Sequence, residues 1–302
     1  MKQSFYDKLN NVIGKDSILI DEPMSRHTTF RVGGPADFFV TPKAKEEVRD
    51  VIRICKEAGM PYYIIGNGSN LLVSDAGYRG VIVQIYKEMN EVKVEGDLVK
   101  AQAGALLSGI AAKALGAELS GFEFASGIPG TIGGACVMNA GAYGGEMKDV
   151  LESVTVLTGE GKIIELGRNE LELGYRTSVI AKKGYIVLGA ALKLERGDGE
   201  KIKTYMDELK EKRVTKQPLE YPSAGSTFKR PEGYFAGKLI QDAGLSGFSV
   251  GDAQVSEKHC GFVINRGEAT AADVADLIRK VQEQVYEKFQ VKLEPEVRML
   301  GF

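Results

Sequence analysis

Residues Tyr221 to Pro231 read YPSAGSTFKRP: two adjacent hydroxyls, Ser226 and Thr227, stand behind Gly225 and ahead of two cations, Lys229 and Arg230, with prolines on both sides. Hydroxyls beside positive charge could belong to a working site, and a preceding glycine would let the backbone bring one of them close to a ligand. Neighbours in an extended segment point to opposite faces, so only one of the two can face a ligand. The plainer reading is a Ser-Thr turn between prolines.

Two glycine loops offer binding chemistry. In IIGNGSNLLVSD, Ile64 to Asp75, a strand runs into Gly66, Asn67, Gly68, Ser69 and Asn70. Such a loop can aim several backbone N–H groups at one anion, a pyrophosphate for instance, or be an ordinary turn. Leu71 stands where a dinucleotide-fold fingerprint needs its third glycine, and no Gly-x-x-x-x-Gly-Lys-Ser/Thr run occurs, which disfavours Rossmann and P-loop sites. The second loop carries eight glycines between Gly121 and Gly145, mixed with Ile128, Ile132, Val137 and Met138. That composition is too apolar for a linker and implies buried backbone approaching a large flat group, or else tight backbone packing in a β domain.

The surrounding elements read as alternating strand and helix. Residues 41 to 59 suggest a helix capped by Thr41 with Pro42 in its first turn and Val48, Val51, Ile52 and Cys55 on one face. YYII (62–65) and GVIVQI (80–85) read as strands. Gly96-Asp97 joins one hairpin, Glu152 to Leu166 forms another, and residues 106–116 are helical between them. A charged helix ending at Pro218 precedes a last segment with a short helix at AGKLIQDAG, a strand CGFVIN, and a long helix from Thr270. There Val274, Leu277, Ile278, Val281, Val285 and Phe289 are in phase, behind a Thr270/Asp273 capping box. These divisions give three segments, 1–88, 89–198 and 199–302.

Composition bounds the function. The 302 residues carry 39 basic and 41 acidic side chains, so no overall basic field exists to hold a nucleic acid. No run approaches the roughly 18 apolar residues of a membrane span and the N-terminus lacks a signal peptide, so a cytoplasmic protein is expected. Cys55, Cys136 and Cys260 are odd in number and far apart, which argues against disulfides or a zinc site and for buried small hydrophobes.

Together with HTTFRVGGPADFFVTP (27–42), GYRTS (174–178) and LEPEVRMLG (293–301), these motifs run in order along nearly the whole chain, which resembles the UDP-N-acetylenolpyruvoylglucosamine reductase family. The resemblance implies an α+β protein: a two-subdomain FAD-binding fold of the vanillyl-alcohol-oxidase type over 1–88 and 89–198, and a C-terminal α+β substrate domain. It implies noncovalent FAD, NADPH as co-substrate and a nucleotide sugar substrate, with no metal. Gly66, Asn67, Gly68, Ser69, Asn70 and Leu71 are assigned to the FAD pyrophosphate. Gly127, Pro129, Gly130, Ile132, Gly133, Gly134, Asn139 and Ala140 are assigned to the flavin side. The motifs select Arg176 for the substrate carboxylate, Ser226 as proton donor and Glu296 as a protonated hydrogen-bond donor. Tyr143, Lys229, Arg230, Lys238 and His259 become substrate contacts. A β-branched residue at Gly68 is expected to block approach of the pyrophosphate.

Bland readings stand beside these: Arg176 as a surface guanidinium, Glu296 as an exposed strand carboxylate, His259 as a partly buried structural imidazole. His27 lacks the partner motif for covalent flavin attachment. About twenty residues separate Glu195 from Pro218, too few for the inserted elements of some members, so the chain resembles the shorter subgroup and the tyrosine of their extra loop has no counterpart here. The competing functions are a flavin oxidase of the same fold, acting on an alcohol or lactone, and a nonenzymatic nucleotide-binding module.

Overall fold

Apolar side chains one helical turn apart build the first elements of the computed structural model, which describes residues 2–302. In helix Lys2–Ile13, Phe5, Leu9 and Ile13 are buried, and Phe5 meets Phe38 edge-on at 5.1 Å between ring centres. By contacts the chain falls into two compact units, each drawn from separate stretches of sequence. One compact unit comprises Met1–Leu19, Phe38–Asn67 and Gly80–Lys212; the other comprises Ile20–Asp37, Gly68–Arg79 and Arg213–Phe302. The grouping follows from strands whose hydrogen-bond partners lie far away in sequence, which draws distant segments into one core.

The first unit holds a five-stranded antiparallel sheet in the order Ile163–Gly167, Leu151–Leu157, Ile186–Lys193, Leu98–Gln102, Val92–Glu95. Glu95 pairs with Leu98, so Gly96-Asp97 is the expected two-residue turn, with Gly96 at φ 67°. Strand Tyr62–Ile65 pairs in parallel with Tyr78–Gln84. The helix expected from Thr41 begins instead at Lys45 and runs to Glu57. Thr41 N–H is held by the Ser17 carbonyl (3.0 Å), and the Glu47 carboxylate accepts from Lys43 N–H (2.7 Å), so the first free turn starts later. A further helix, Ile132–Met138, forms inside the second glycine loop. Thr131 caps it by accepting from Gly134 N–H, and Asn139 ends it in the left-handed conformation. Gly133 packs closely there: a Cβ would lie 3.0 Å from the Ala103 carbonyl oxygen.

The second unit holds a four-stranded antiparallel sheet in the order Ser223–Ser226, Phe262–Asn265, Ala253–Val255, Ser249–Val250. Helix Ala271–Phe289 buries Val274, Leu277, Ile278, Val281 and Val285, and its capping box of Thr270 and Asp273 is present as read from the sequence. Asp75 adds a second cap, accepting from Ala271 and Ala272 N–H at 2.8 and 2.9 Å. The chain's end returns as strand Arg298–Leu300, parallel to Leu71–Val73. All three cysteines are buried, and burial pushes the Cys55 and Cys136 thiols up to about 12. Among the described residues no helix is long and apolar enough to cross a membrane.

Candidate functional site

The sheet edge at Ser223–Ser226 carries an irregularity that decides which hydroxyl is available. Ser223 pairs with Ile264 and Ser226 with Phe262, so one extra residue bulges out, at Gly225 with φ 75°. Bulges of this kind re-aim the side chain that follows. Ser226 is exposed, and its hydroxyl makes no hydrogen bond among the described residues. Thr227 is 0% exposed and wholly committed. Its hydroxyl accepts from Val263 N–H (3.0 Å), its N–H donates to the Gly261 carbonyl and its carbonyl accepts from Glu296 N–H, both at 2.8 Å. The expected opposition of the two side chains is present. Glu296 is partly buried and its carbonyl accepts from the Asn70 side-chain amide at 3.0 Å, which ties this stretch to the first glycine loop.

In that loop the backbone N–H groups of Asn67, Gly68, Ser69 and Asn70 donate to nothing among the described residues. Beside it, Thr29 N–H donates to the Gly68 carbonyl (3.2 Å), and the Thr29 hydroxyl is buried without a hydrogen-bond partner. A buried hydroxyl left unpaired is costly, so a run of free N–H groups with such a hydroxyl fits a polyanionic group. The residues present therefore suit a cofactor pyrophosphate. Gly68 itself answers to a different demand than expected. At φ 65°, a Cβ there would lie 1.9 Å from the His27 carbonyl oxygen, so a β-branched replacement breaks the chain's own packing before any ligand is considered. Leu71 is a buried strand residue whose backbone pairs with Arg298.

Within the first unit the two glycine loops meet. The Asn67 side chain donates to the Pro129 carbonyl (3.3 Å), and Gly66 is so close to Thr131 that a Cβ would lie 2.3 Å from its hydroxyl. Gly127, Pro129 and Gly134 are exposed and Gly130 partly so. Ile132, Gly133 and Ala140 are buried, and their N–H groups bond to the carbonyls of Ala105, Ala103 and Ala135. Asn139 is buried and its side chain serves protein partners. Arg176 sits at the tip of a tight turn closed by Gly174 and Thr177, in the left-handed conformation at φ 53°, with its guanidinium 5.2 Å from the Tyr175 ring centre.

Most of the remaining candidates already have partners within the chain. Tyr143 is exposed on the turn between Gly141–Ala142 and Gly145–Glu146. Lys229 pairs with Glu294 (2.9 Å) and Lys238 with Asp242. Arg230 lies over the exposed Phe235 ring at 4.0 Å. His259 accepts from Gly261 N–H at Nδ1 (3.0 Å), which makes it neutral with its proton on Nε2, and burial holds its pKa below the ordinary value. Sequence reasoning missed Thr29, Thr131 and Asp75. The capping spacing of Thr131 to Gly134 was a usable signal; Thr29 lay inside the motif HTTFRVGG, which did not single it out.

A UDP-N-acetylenolpyruvoylglucosamine reductase C-terminal domain matches residues 217–300, and an FAD binding domain matches 36–167. The reductase of Agathobacter rectalis is 56% identical, with 100% of this chain and 99% of that one aligned. The chain belongs to the UDP-N-acetylenolpyruvoylglucosamine reductase family. Another member, from Clostridioides difficile, is 54% identical over 99% of this chain and 98% of its own. The solved reductase of Thermus caldophilus superposes with a TM-score of 0.80 at 38% identity, covering 94% of this chain and 98% of that one. A grass pollen allergen with glucose dehydrogenase activity shares the fold alone: TM-score 0.50, 15% identity, 65% of this chain and 44% of that one. The family's architecture is the expected α+β one, an FAD binding domain with a reductase C-terminal domain.

Proposed function

We propose that this chain reduces the enolpyruvyl double bond of UDP-N-acetylglucosamine enolpyruvate to give UDP-N-acetylmuramate, a peptidoglycan precursor, using noncovalent FAD and NADPH. Full-length similarity to reductases supports the reaction. FAD, when bound, supplies the two-electron chemistry that links NADPH to the enolpyruvyl group. The free N–H groups of Asn67 to Asn70 and the Thr29 hydroxyl would hold its pyrophosphate, and the loop from Gly127 to Gly134 would serve the flavin side. Segments 1–88 and 89–198 serve the cofactor and 199–302 takes the nucleotide sugar, through Lys229, Arg230, Lys238 and His259, with Tyr143 from the middle segment. We place the reaction in the cytoplasm, with no nucleic acid or membrane partner.

The observation that carries the chemistry is the exposed, unpartnered Ser226 hydroxyl beside a fully occupied Thr227. Reduction adds hydride at C3 of the enolpyruvyl group and leaves C2 needing a proton. Ser226 donates it, and the alkoxide regains a proton from solvent. Arg176, from the first unit, offers a two-pronged cation to the carboxylate as charge develops on it, and Glu296, when protonated, donates to the same group. Anaerobic mixing of FAD-loaded protein with NADPH, then with the enolpyruvyl nucleotide sugar, tests the reading. Bleaching followed by recolouring is expected. A protein that takes up no FAD, or that turns over an alcohol with oxygen and without NADPH, overturns it.

A further inference from the structure

We propose that Asn139 and Glu146 form a positioning pair that holds the Tyr175–Arg176 turn in place, and so set the reach of Arg176; this rests on the substrate-facing role given to Arg176 above. Asn139 is 1% exposed and both of its amide hydrogens are used. Its amide donates to Glu146 Oε2 at 2.9 Å and to the Gly174 carbonyl at 3.1 Å, while its oxygen accepts from Lys148 N–H at 2.9 Å. No side-chain donor remains for a cofactor, so as a donor Asn139 acts through these partners.

Gly174 is where that grip matters. It closes the turn with Thr177 by two backbone hydrogen bonds, 3.1 and 3.2 Å, and leaves only Tyr175 and Arg176 at the tip. Arg176 adopts φ 53° there, a conformation that is costly for a non-glycine residue and persists only where neighbours impose it. The Asn139 bond to the Gly174 carbonyl is one such constraint, and it comes from a residue that is itself left-handed, at φ 46°. Charge acts in the same direction. Lys148 above all holds the Glu146 carboxyl below its usual range, with the Asn139 amide and the Arg176 charge also contributing, so Glu146 is an anion that attracts the guanidinium. Backbone closure, a buried amide and an ion thus converge on one turn.

The experiment compares Asn139→Ala, Arg176→Ala and the double variant, each loaded with FAD, in two anaerobic phases: bleaching by NADPH and recolouring by the enolpyruvyl nucleotide sugar. Loss of a fixed geometry on the order of 1 Å slows a step by up to about 100-fold. Asn139→Ala is expected to bleach at the parent rate, recolour about 10–100-fold more slowly, and add less than about 2-fold once Arg176 is already Ala. Additive slowing, or slowing of both phases alike, overturns the positioning role while leaving that of Arg176 intact. Recolouring of Arg176→Ala at the parent rate overturns the role of Arg176 itself. Should Asn139→Ala not fold, Glu146→Gln serves: it keeps an acceptor for Asn139 on a partly exposed side chain and removes the charge. It is expected to slow recolouring about 2–5-fold, an effect that vanishes in the Arg176→Ala background. Persistence of the effect there overturns the proposal.

Discussion

Replacing Thr227 with valine and Ser226 with alanine should produce opposite phenotypes from neighbouring residues. Thr227→Val keeps the shape of a fully buried side chain but removes the only acceptor assigned to Val263 N–H, so a buried donor is left unpaired at a cost of about 1–3 kcal/mol. At roughly 2–4 °C per kcal/mol for chains of this order of size, the melting temperature should fall by about 2–12 °C. The exposed Ser226 hydroxyl has no partner to lose, so Ser226→Ala should change stability by no more than about 0.5 kcal/mol. Its effect is kinetic. Losing the proton donor should slow recolouring by about 100- to 10,000-fold with unchanged bleaching by NADPH, and Ser226→Cys should retain part of the rate. Circular dichroism melts and stopped-flow absorbance read the two quantities separately. A Thr227→Val protein that melts like the parent yet fails to recolour, paired with a normal Ser226→Ala, would mean that the wrong hydroxyl has been assigned.

Thr29→Val should weaken FAD binding about 2- to 12-fold, the equivalent of one hydrogen bond of roughly 0.5–1.5 kcal/mol, with no fall in the melting temperature of the cofactor-free protein; fluorescence titration with FAD measures it, and unchanged affinity removes Thr29 from the site. Gly68→Ala should destabilise the protein without any ligand present, by at least about 1–2 kcal/mol for the left-handed backbone and more for the approach to His27, as thermal melts of the cofactor-free protein will show. His259 has a folded-state pKa below the ordinary 6.5, so between the two values the unfolded chain binds more protons and stability is lost as pH falls. Denaturation midpoints at a series of pH values should show that loss in the parent and a flatter profile in His259→Gln.

Where determinants are local, the sequence was legible. Helix Ala271–Phe289 carries its cap, its capping partner and its apolar period within twenty residues, and each occupies its expected place. The Gly96-Asp97 turn was equally self-contained. Thr41 misled because its N–H is claimed by Ser17, in the short 3-10 turn Lys15–Ser17, which no local rule can see. Helix Ile132–Met138 was hidden by two glycines of low helix propensity, one of which packs closely on Ala103. In the site, alternation correctly separated Ser226 from Thr227, but the bulge at Gly225 depends on register with Phe262–Asn265. Thr29 was invisible for a similar reason. A single threonine becomes a binding candidate only when distant residues bury its hydroxyl and leave it unpaired.

The parallel pairing of Leu71–Val73 with Arg298–Leu300 imposes a timetable on synthesis. Every segment of the first unit lies before residue 213, so that unit can close while the ribosome is still translating. The strand beside the first glycine loop must wait for almost the last residues of the chain, a delay on the order of ten seconds or more at ~5–20 residues per second. Through that interval Phe30 and Leu72, both fully buried in the finished core, lack the partners that Val274, Leu277 and Val297 later supply. A chain that stops short of Arg298 therefore retains every residue of the first unit and all the free amides of the loop, yet has no strand to hold that loop's far end, and it presents nascent apolar surface to chaperones and proteases instead.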